Sequence, residues 1–542
     1  MAGLRMINRH MNKGLLISAL IAILAMQHGY AQAPAGFEEF RQGLFDNYNS
    51  FKNRILEHYS DFLAGEWHEY EPLEPESKYS EPKPDSIPTY EHLVADEADE
   101  QTKSFRLSLG FDGSPVIDRK GNIKEPSIMS MLRDGRGLHS MVSLLPTALT
   151  QADSLAADSV APASLPEQGI MTADGVVDDY DGDVFGFYGM RFAIPREEFS
   201  LIDSITSTLD FSVQWERLMA DKVADRLNPH FLALQKKTGL SDYLLYEMLM
   251  AYLDSKAPSA DDASKMSVTH YLLANMGFGV RIAIDDNNQP FILLPFTEKI
   301  FGKASLPLAK TYYVFAAPGR GDVRRVGLRS PYVPDNAEQG KEMNLRMDGL
   351  NLPMKKYHYD ITYEGLRLQG DLNENVMPLI YRYPQMDTSG FAASMISPEV
   401  RDSVVAQVKE QLAELEPMQA ADKLLSMIQF GFPYATDDKF HGFEKPYFFE
   451  EMLYYPKSDC EDRAVFFSYL LWNALGLQND LITYPNHEAT AIRAEQVWGG
   501  EDHYLRSDRK YFISDPTYQG APTGQCMPRY IGMQPGIDLS YE

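Results

Sequence analysis

The stretch Asp459-Cys460-Glu461-Asp462-Arg463-Ala464-Val465-Phe466-Phe467-Ser468-Tyr469-Leu470-Leu471-Trp472-Asn473-Ala474-Leu475-Gly476 decides how the chain folds around its chemistry. Ala464, Val465, Phe467, Leu470, Leu471, Ala474 and Leu475 recur so that a helix from Cys460 to Leu475 would pack nearly all round. Gly476 closes it, as a C-terminal glycine does. Ser458 with Glu461 matches the capping-box pattern, which places Cys460 in the first helical turn. A thiol there feels the positive end of the helix dipole, and its pKa falls. The neighbouring Asp459, Glu461 and Asp462 oppose that effect, so a thiolate needs a cationic or hydrogen-bonding partner.

Downstream, Asn486-His487-Glu488-Ala489-Thr490-Ala491-Ile492 places a histidine at the head of an alternating, strand-like segment. After the Gly499-Gly500 turn, Tyr511-Phe512-Ile513-Ser514-Asp515-Pro516-Thr517 forms a second such segment ending on a carboxylate. His487 follows Cys460 after 27 residues, and Asp515 follows after 28 more. In this helix, strand, strand order, imidazole can take the thiol proton and the carboxylate can fix its tautomer. Backbone N–H groups at the helix start can meet a tetrahedral oxyanion.

These segments, with Ile428-Gln429-Phe430-Gly431-Phe432-Pro433-Tyr434 upstream and the Asp515-Pro516-Thr517 ending, resemble the transglutaminase-like superfamily of papain-type thiol enzymes. The resemblance spans roughly residues 418 to 530, about a fifth of the chain. It implies Cys460 as nucleophile, His487 as base and Asp515 as its partner. Glu488 and Ala489 stand where the family often has an aromatic, and Ser458 where Gly often precedes the Asp-Cys pair; these departures bear on the substrate class.

Other readings of the same residues stay open. Cys460 can be an inert buried thiol or, in an exported chain, the disulfide partner of Cys526. His441 and His503 compete with His487 and read as solvated loop residues, while Asp515 can simply open an Asp-Pro turn. Gln429 and Tyr455 are candidate oxyanion or substrate contacts. Tyr447-Phe448-Phe449 and Tyr454-Tyr455 read as core or cleft wall.

The whole chain sets the setting for that site. Its 542 residues carry 50 Lys plus Arg against 77 Asp plus Glu, a formal charge of −27, which disfavours a nucleic-acid or anionic-lipid surface. Two cysteines exclude a disulfide scaffold and a Cys-rich zinc module. Arg5, Arg9 and Lys13 followed by the apolar run Gly14 to Met26 read as a signal peptide over residues 1–31, with Gly29 and Ala31 as small residues at the cut. Removing it leaves 47 basic against 77 acidic residues, or −30. No cysteine follows the run, so a lipid anchor is disfavoured, and no other run approaches the roughly 18 apolar residues of a span. The expectation is an exported product, periplasmic or secreted, with no membrane span in the mature chain.

Residues 32–100 read as an N-terminal helix (Phe37 to Leu63) and an acidic, Pro-rich linker (Tyr70 to Glu100). Residues 101–198 read as a β-rich segment, with strand and turn signals at Ser104 to Ile123 and a low-complexity loop at Thr147 to Gly169. The acidic run Asp174 to Asp183 fails as an EF-hand, because aligning Gly182 puts Val177 first and Tyr188 twelfth. Arg320-Gly321-Asp322 matches an adhesion tripeptide too short to carry weight.

Residues 199–395 read as a mixed α/β region, helical from Phe199 to Gly277. Strands are expected at Val280 to Ile284, Phe291 to Leu294, Tyr312 to Ala316 and Tyr357 to Leu366. Tyr271-Leu272-Leu273-Ala274-Asn275 echoes Tyr469-Leu470-Leu471-Trp472-Asn473 at an offset of 198, which sets Asp262 opposite Cys460. That echo suggests a degenerate transglutaminase-like half, against a simple helix closed by a C-terminal glycine. A helix from Pro398 to Leu415 opens the catalytic domain, residues 396–542.

The expected fold is α+β: a papain-like, transglutaminase-like C-terminal domain whose nucleophile helix packs on an antiparallel sheet, preceded by a mixed helical and β region. The expected function is thiol-dependent acyl transfer on peptide or glutamine amides, using a protein or peptide substrate such as cell-wall peptide and neither cofactor nor metal. Hydrolysis is preferred to transamidation, because excluding water is an extra requirement. The alternative is a non-catalytic binding or surface-assembly protein that keeps the fold.

Overall fold

A computed structural model describes residues 67–79, 81–84, 89–90, 116–117, 123–124, 169–317, 327–331 and 340–542. The signal segment 1–31, the Phe37 to Leu63 helix, part of the Tyr70 to Glu100 linker, the Thr147 to Gly169 loop up to its last residue and Arg320 to Asp322 lie outside them. Of Ser104 to Ile123 and its flank, only the paired Val116–Ile117 and Ile123–Lys124 are described.

The stretch read as helical holds four helices, Thr208–Ala220, Val223–Thr238, Asp242–Lys256 and Asp262–Asn275. Ser207, Ser241 and Asp261 cap three of them by accepting a first-turn backbone N–H, which satisfies donors the helix itself leaves unpaired. A four-stranded sheet, Gly175–Val177, Ile170–Thr172, Met190–Ile194 and Asp183–Phe187 in order, packs on Asp242–Lys256 through Phe185, which meets Phe231 and Tyr252.

The last of these helices leads into an antiparallel sheet. Its order is Trp67–Tyr70, Leu328–Pro331, Arg281–Ile284, Pro290–Pro295, Thr311–Ala316 and Ser305–Pro307. Side chains alternate across its faces as a pleated strand requires. Ile282, Ile284, Ile292, Leu294, Tyr313 and Phe315 join the helical core, while Ala283, Phe291, Leu293, Tyr312 and Val314 build a second cluster.

The Tyr357 to Leu366 stretch, expected as a single strand, is the first arm and turn of a hairpin, Lys356–Tyr363 with Leu366–Asn373. Glu364 (φ 42°) and Gly365 (φ 82°) form its turn, and two successive positive φ values suit the twist of a tight hairpin. The helices Pro398–Leu412 and Pro417–Gly431 follow, each with proline in its first turn. Cys460–Asn473 then leads into a second antiparallel sheet, ordered His503–Arg506, Arg509–Ser514, His487–Arg493, Asn479–Tyr484 and Gly536–Tyr541.

Apart from the added Trp67–Tyr70 strand, the two sheets share one connectivity. A helix runs into a hairpin, a second hairpin docks its later strand on the inner strand of the first, and a final strand returns to the opposite edge. One buried apolar cluster extends from Met171 to Ile492 through helices, hairpin and both sheets. The class is α+β. No helix among the described residues is long and apolar enough to cross a membrane.

Candidate active site

Cys460 is the first residue of its helix, and every side chain from Cys460 to Leu471 is buried. The cap lies one residue later than the Ser458/Glu461 pattern suggests: Asp459 and Asp462 form the box, with the Asp459 N–H donating to Asp462 Oδ2 at 3.0 Å. Ser458 is unavailable because its backbone bonds to Pro433 and Ala435 and its hydroxyl accepts from Arg463 Nε.

His487 opens its strand after the two-residue Pro485-Asn486 turn. Its Nε2 stands 2.8 Å from Asp515 Oδ2, with both side chains buried. Asp515 Oδ1 accepts from the Thr517 and Tyr518 N–H groups at 2.8 and 3.1 Å, which locks the carboxylate in place. The Tyr530 ring stacks on the imidazole at 5.6 Å and 4°.

The Cys460 thiol donates to Glu461 Oε2 at 3.1 Å. Burial, then the charges of Glu461 and Asp459, push its pKa well above the ordinary thiol value; Lys83 and a hydrogen bond from the Glu488 N–H act the other way. The structure therefore brings His487 and Asp515 into direct contact and turns the thiol toward a carboxylate. Both cysteines are free, so the Cys460–Cys526 disulfide is not formed. Cys526 lies in the apolar cluster that includes Tyr484 and Tyr530, and burial pushes its thiol up to about 12.

Gln429 does not stand free to meet an oxyanion. Its Nε2 donates to the carbonyls of Asp515, Tyr518 and Ala521 at 2.8 to 3.0 Å, and its Oε1 accepts from Gly520 N–H. It is a buried clamp on the loop that carries Asp515. Tyr455 sits in an aromatic cluster with His441, Tyr447 and Tyr454. His441 belongs to that cluster too, contrary to its reading as a solvated residue: it is buried, with Nε2 2.5 Å from the Tyr447 hydroxyl. His503 is exposed on an edge strand.

Sequence reasoning missed the residues around the thiol that come from the supposed linker. Lys83 Nζ lies 2.8 Å from Asp459, 2.7 Å from Glu444 and 3.9 Å from Asp437, and also pairs with Glu461. Lys78 pairs with Glu488 at 2.5 Å, and the Tyr79 hydroxyl donates to the same carboxylate at 3.0 Å. The signal was available: Lys78 and Lys83 are the only Lys or Arg residues between Tyr70 and Glu100.

One ammonium cannot compensate four carboxylates. Burial, mutual repulsion or both push Asp437 and Asp459 toward the protonated form, and Glu444 up to about 7. Burial opposes the charge on Glu461, but Lys83, a hydrogen bond with Asp459 and the charge of Lys78 together outweigh it and hold that carboxyl low. Asp437, Glu444 and Glu461 gather their oxygens within 4.8 Å of one another, as metal ligands can, and Lys83 Nζ pairs with all three.

Compared with known proteins, the chain matches no family model, no curated protein and no solved structure.

Proposed function

We propose that the chain is an exported thiol enzyme of transglutaminase-like type that transfers acyl groups from peptide or glutamine amides. The observation that carries this reading is the buried His487–Asp515 pair at 2.8 Å, held beside a helix whose first residue is Cys460. Nε2 of His487 is committed to Asp515, so Nδ1 is the nitrogen left to take a thiol proton.

The thiol must turn from Glu461 to Nδ1 and pass its proton there. The resulting thiolate attacks the amide carbonyl carbon, a C–S bond forms, and the C–N bond breaks as imidazolium returns the proton to the leaving amine. Water or an amine then attacks the thioester and releases Cys460. Hydrolysis is the preferred outcome, with protein or cell-wall peptide as substrate. Within this proposal, residues 199–395 contain a degenerate transglutaminase-like half, supported by the shared connectivity and by Asp262 at the helix position of Cys460.

A second reading, a non-catalytic binding or surface-assembly protein, is favoured by the complete burial of Cys460 and its ring of carboxylates. The test uses the mature chain and Cys460→Ala, assayed for labelling by a thiol electrophile near pH 7, peptide cleavage and amine incorporation. We expect site-specific labelling of Cys460 and one of the two activities, both lost in the variant. Labelling no faster than a free thiol, with both assays blank over a broad peptide panel, would favour the second reading.

A further inference from the structure

The described residues between Lys78 and Tyr90 (78–79, 81–84 and 89–90) touch the neighbours of all three candidate catalytic residues. Lys83 reaches Asp459 and Glu461, on either side of Cys460. Asn486 and Glu488, on either side of His487, hold the Pro82 carbonyl at 2.9 Å and the Tyr79 hydroxyl at 3.0 Å. Past Asp515, Gln519 accepts from the Tyr90 N–H at 2.9 Å, and Tyr518 packs edge-on against the Tyr90 ring.

The segment is knitted in at both ends. Leu73 bridges to Ser305, the Glu76 carbonyl accepts from Gly302, and the Pro84 carbonyl accepts from the Tyr434 hydroxyl at 2.9 Å. Those ties make it a wall of the site. Unseating it would take Lys83 away from the buried carboxylates it pairs with, which is costly for charges removed from water.

We infer that Lys83 is a positioning residue of the thiol site, whose ammonium balances the carboxylates flanking Cys460 and so permits the thiol to ionise. The inference rests on reading Cys460 as the nucleophile. The charged and titratable groups set around the thiol include Asp459 from the helix cap, Glu461 and Arg463 from the helix, Lys83 and Tyr79 from the segment, Tyr434 from the preceding loop and Tyr530 from the C-terminal region, beside His487 as the proposed base.

Two of these are cations. Arg463 directs its guanidinium to the carbonyls of Phe432 and Pro516 and the Ser458 hydroxyl. Lys83 alone touches both flanking carboxylates. Asp459 Oδ1, fully buried, has no hydrogen-bond partner, so the site holds more negative capacity than its hydrogen bonds satisfy. Removing the cation that touches both flanking carboxylates raises the cost of adding a thiolate.

The test measures the rate of electrophile labelling at Cys460 by peptide mass spectrometry between about pH 5 and 10.5, in the full mature chain. Lys83→Met should raise the apparent pKa of Cys460 by at least one unit, a tenfold loss of thiolate at any pH below both values. Lys83→Arg, which keeps the charge, should hold the wild-type profile. If Lys83→Met does not fold, the charge-balanced pair Lys83→Met with Glu461→Gln should label within fivefold of wild type at each pH.

A folded Lys83→Met with an unchanged or lowered apparent pKa would overturn the inference, because the segment would then be a mere cover. So would a departure beyond fivefold in the balanced pair, or loss of the profile in Lys83→Arg. The profile is measurable whether or not any amide is cleaved. A wild type inactive on every amide but sensitive to Lys83→Met therefore removes the proposed activity and leaves this inference standing.

Discussion

Asp262–Asn275 with its sheet and Cys460–Asn473 with its sheet follow the same path through the same strand order. Both helices start on an aspartate cap, Asp261 and Asp459, and both run on to a glycine at positive φ, Gly277 at 91° and Gly476 at 66°. Both carry a long buried run, Ala263 to Leu273 and Cys460 to Leu471. The chemistry differs at three places. Asp262, Pro290 and Ala317 occupy the helix start, the head of the second strand and the residue past the inner strand, where the C-terminal unit has Cys460, His487 and Asp515. Caps, alternation and burial hold the path, so those three positions can change without changing it; function resides in the site and not in the fold.

The sharpest way to break that comparison is to exchange carboxylate for amide in each unit. Asp515→Asn should keep the Thr517 and Tyr518 hydrogen bonds through Oδ1 yet favour the wrong imidazole tautomer, slowing Cys460 acylation about a hundred- to ten-thousand-fold. Asp262→Asn should leave that rate within about twofold. Comparable losses in single-turnover acylation would mean that the first unit shares in the chemistry.

A smaller effect is expected at the clamp on the loop that carries Asp515. Gln429→Ala removes four hydrogen bonds, three of them buried, and leaves three carbonyls and the Gly520 N–H without that partner. The loss should be about 2–4 kcal/mol in urea unfolding. A loss below about 0.5 kcal/mol would show that water replaces the clamp.

The smallest effect should be equal in both units. No atom lies within 4 Å of a Cβ built on Gly277 or Gly476, so an alanine there meets only backbone strain. Gly277→Ala and Gly476→Ala should each cost about 1 kcal/mol. Thermal unfolding compares the two directly, and a clear inequality would show that the helix ends are not equivalent.

Much of this was legible because it is local. The helix at Cys460, the strands at His487 and before Asp515, and the glycine stops follow from periodicity and turn chemistry over a dozen residues. What escaped was set by distant partners. Ser458 matches a cap pattern, but its hydrogen bonds to Pro433, Ala435 and Arg463 hand the role to Asp459. Gln429 reads as a free polar side chain until the loop at 515–521 closes on it. His441 reads as solvated until Tyr447 and Tyr455 enclose it.

The amino-acid sequence by itself determined the order Cys460, His487, Asp515 and the elements that carry them, because helix and strand periods and their end signals act through near neighbours. Only the tertiary structure decided what surrounds the thiol. Lys83 lies 377 positions before Cys460 in the chain, and its pairing with Asp459 and Glu461 exists only once the segment is folded across the site. Charges interact through space and are strengthened by burial, so the acid–base state of Cys460 belongs to the fold and not to its own helix.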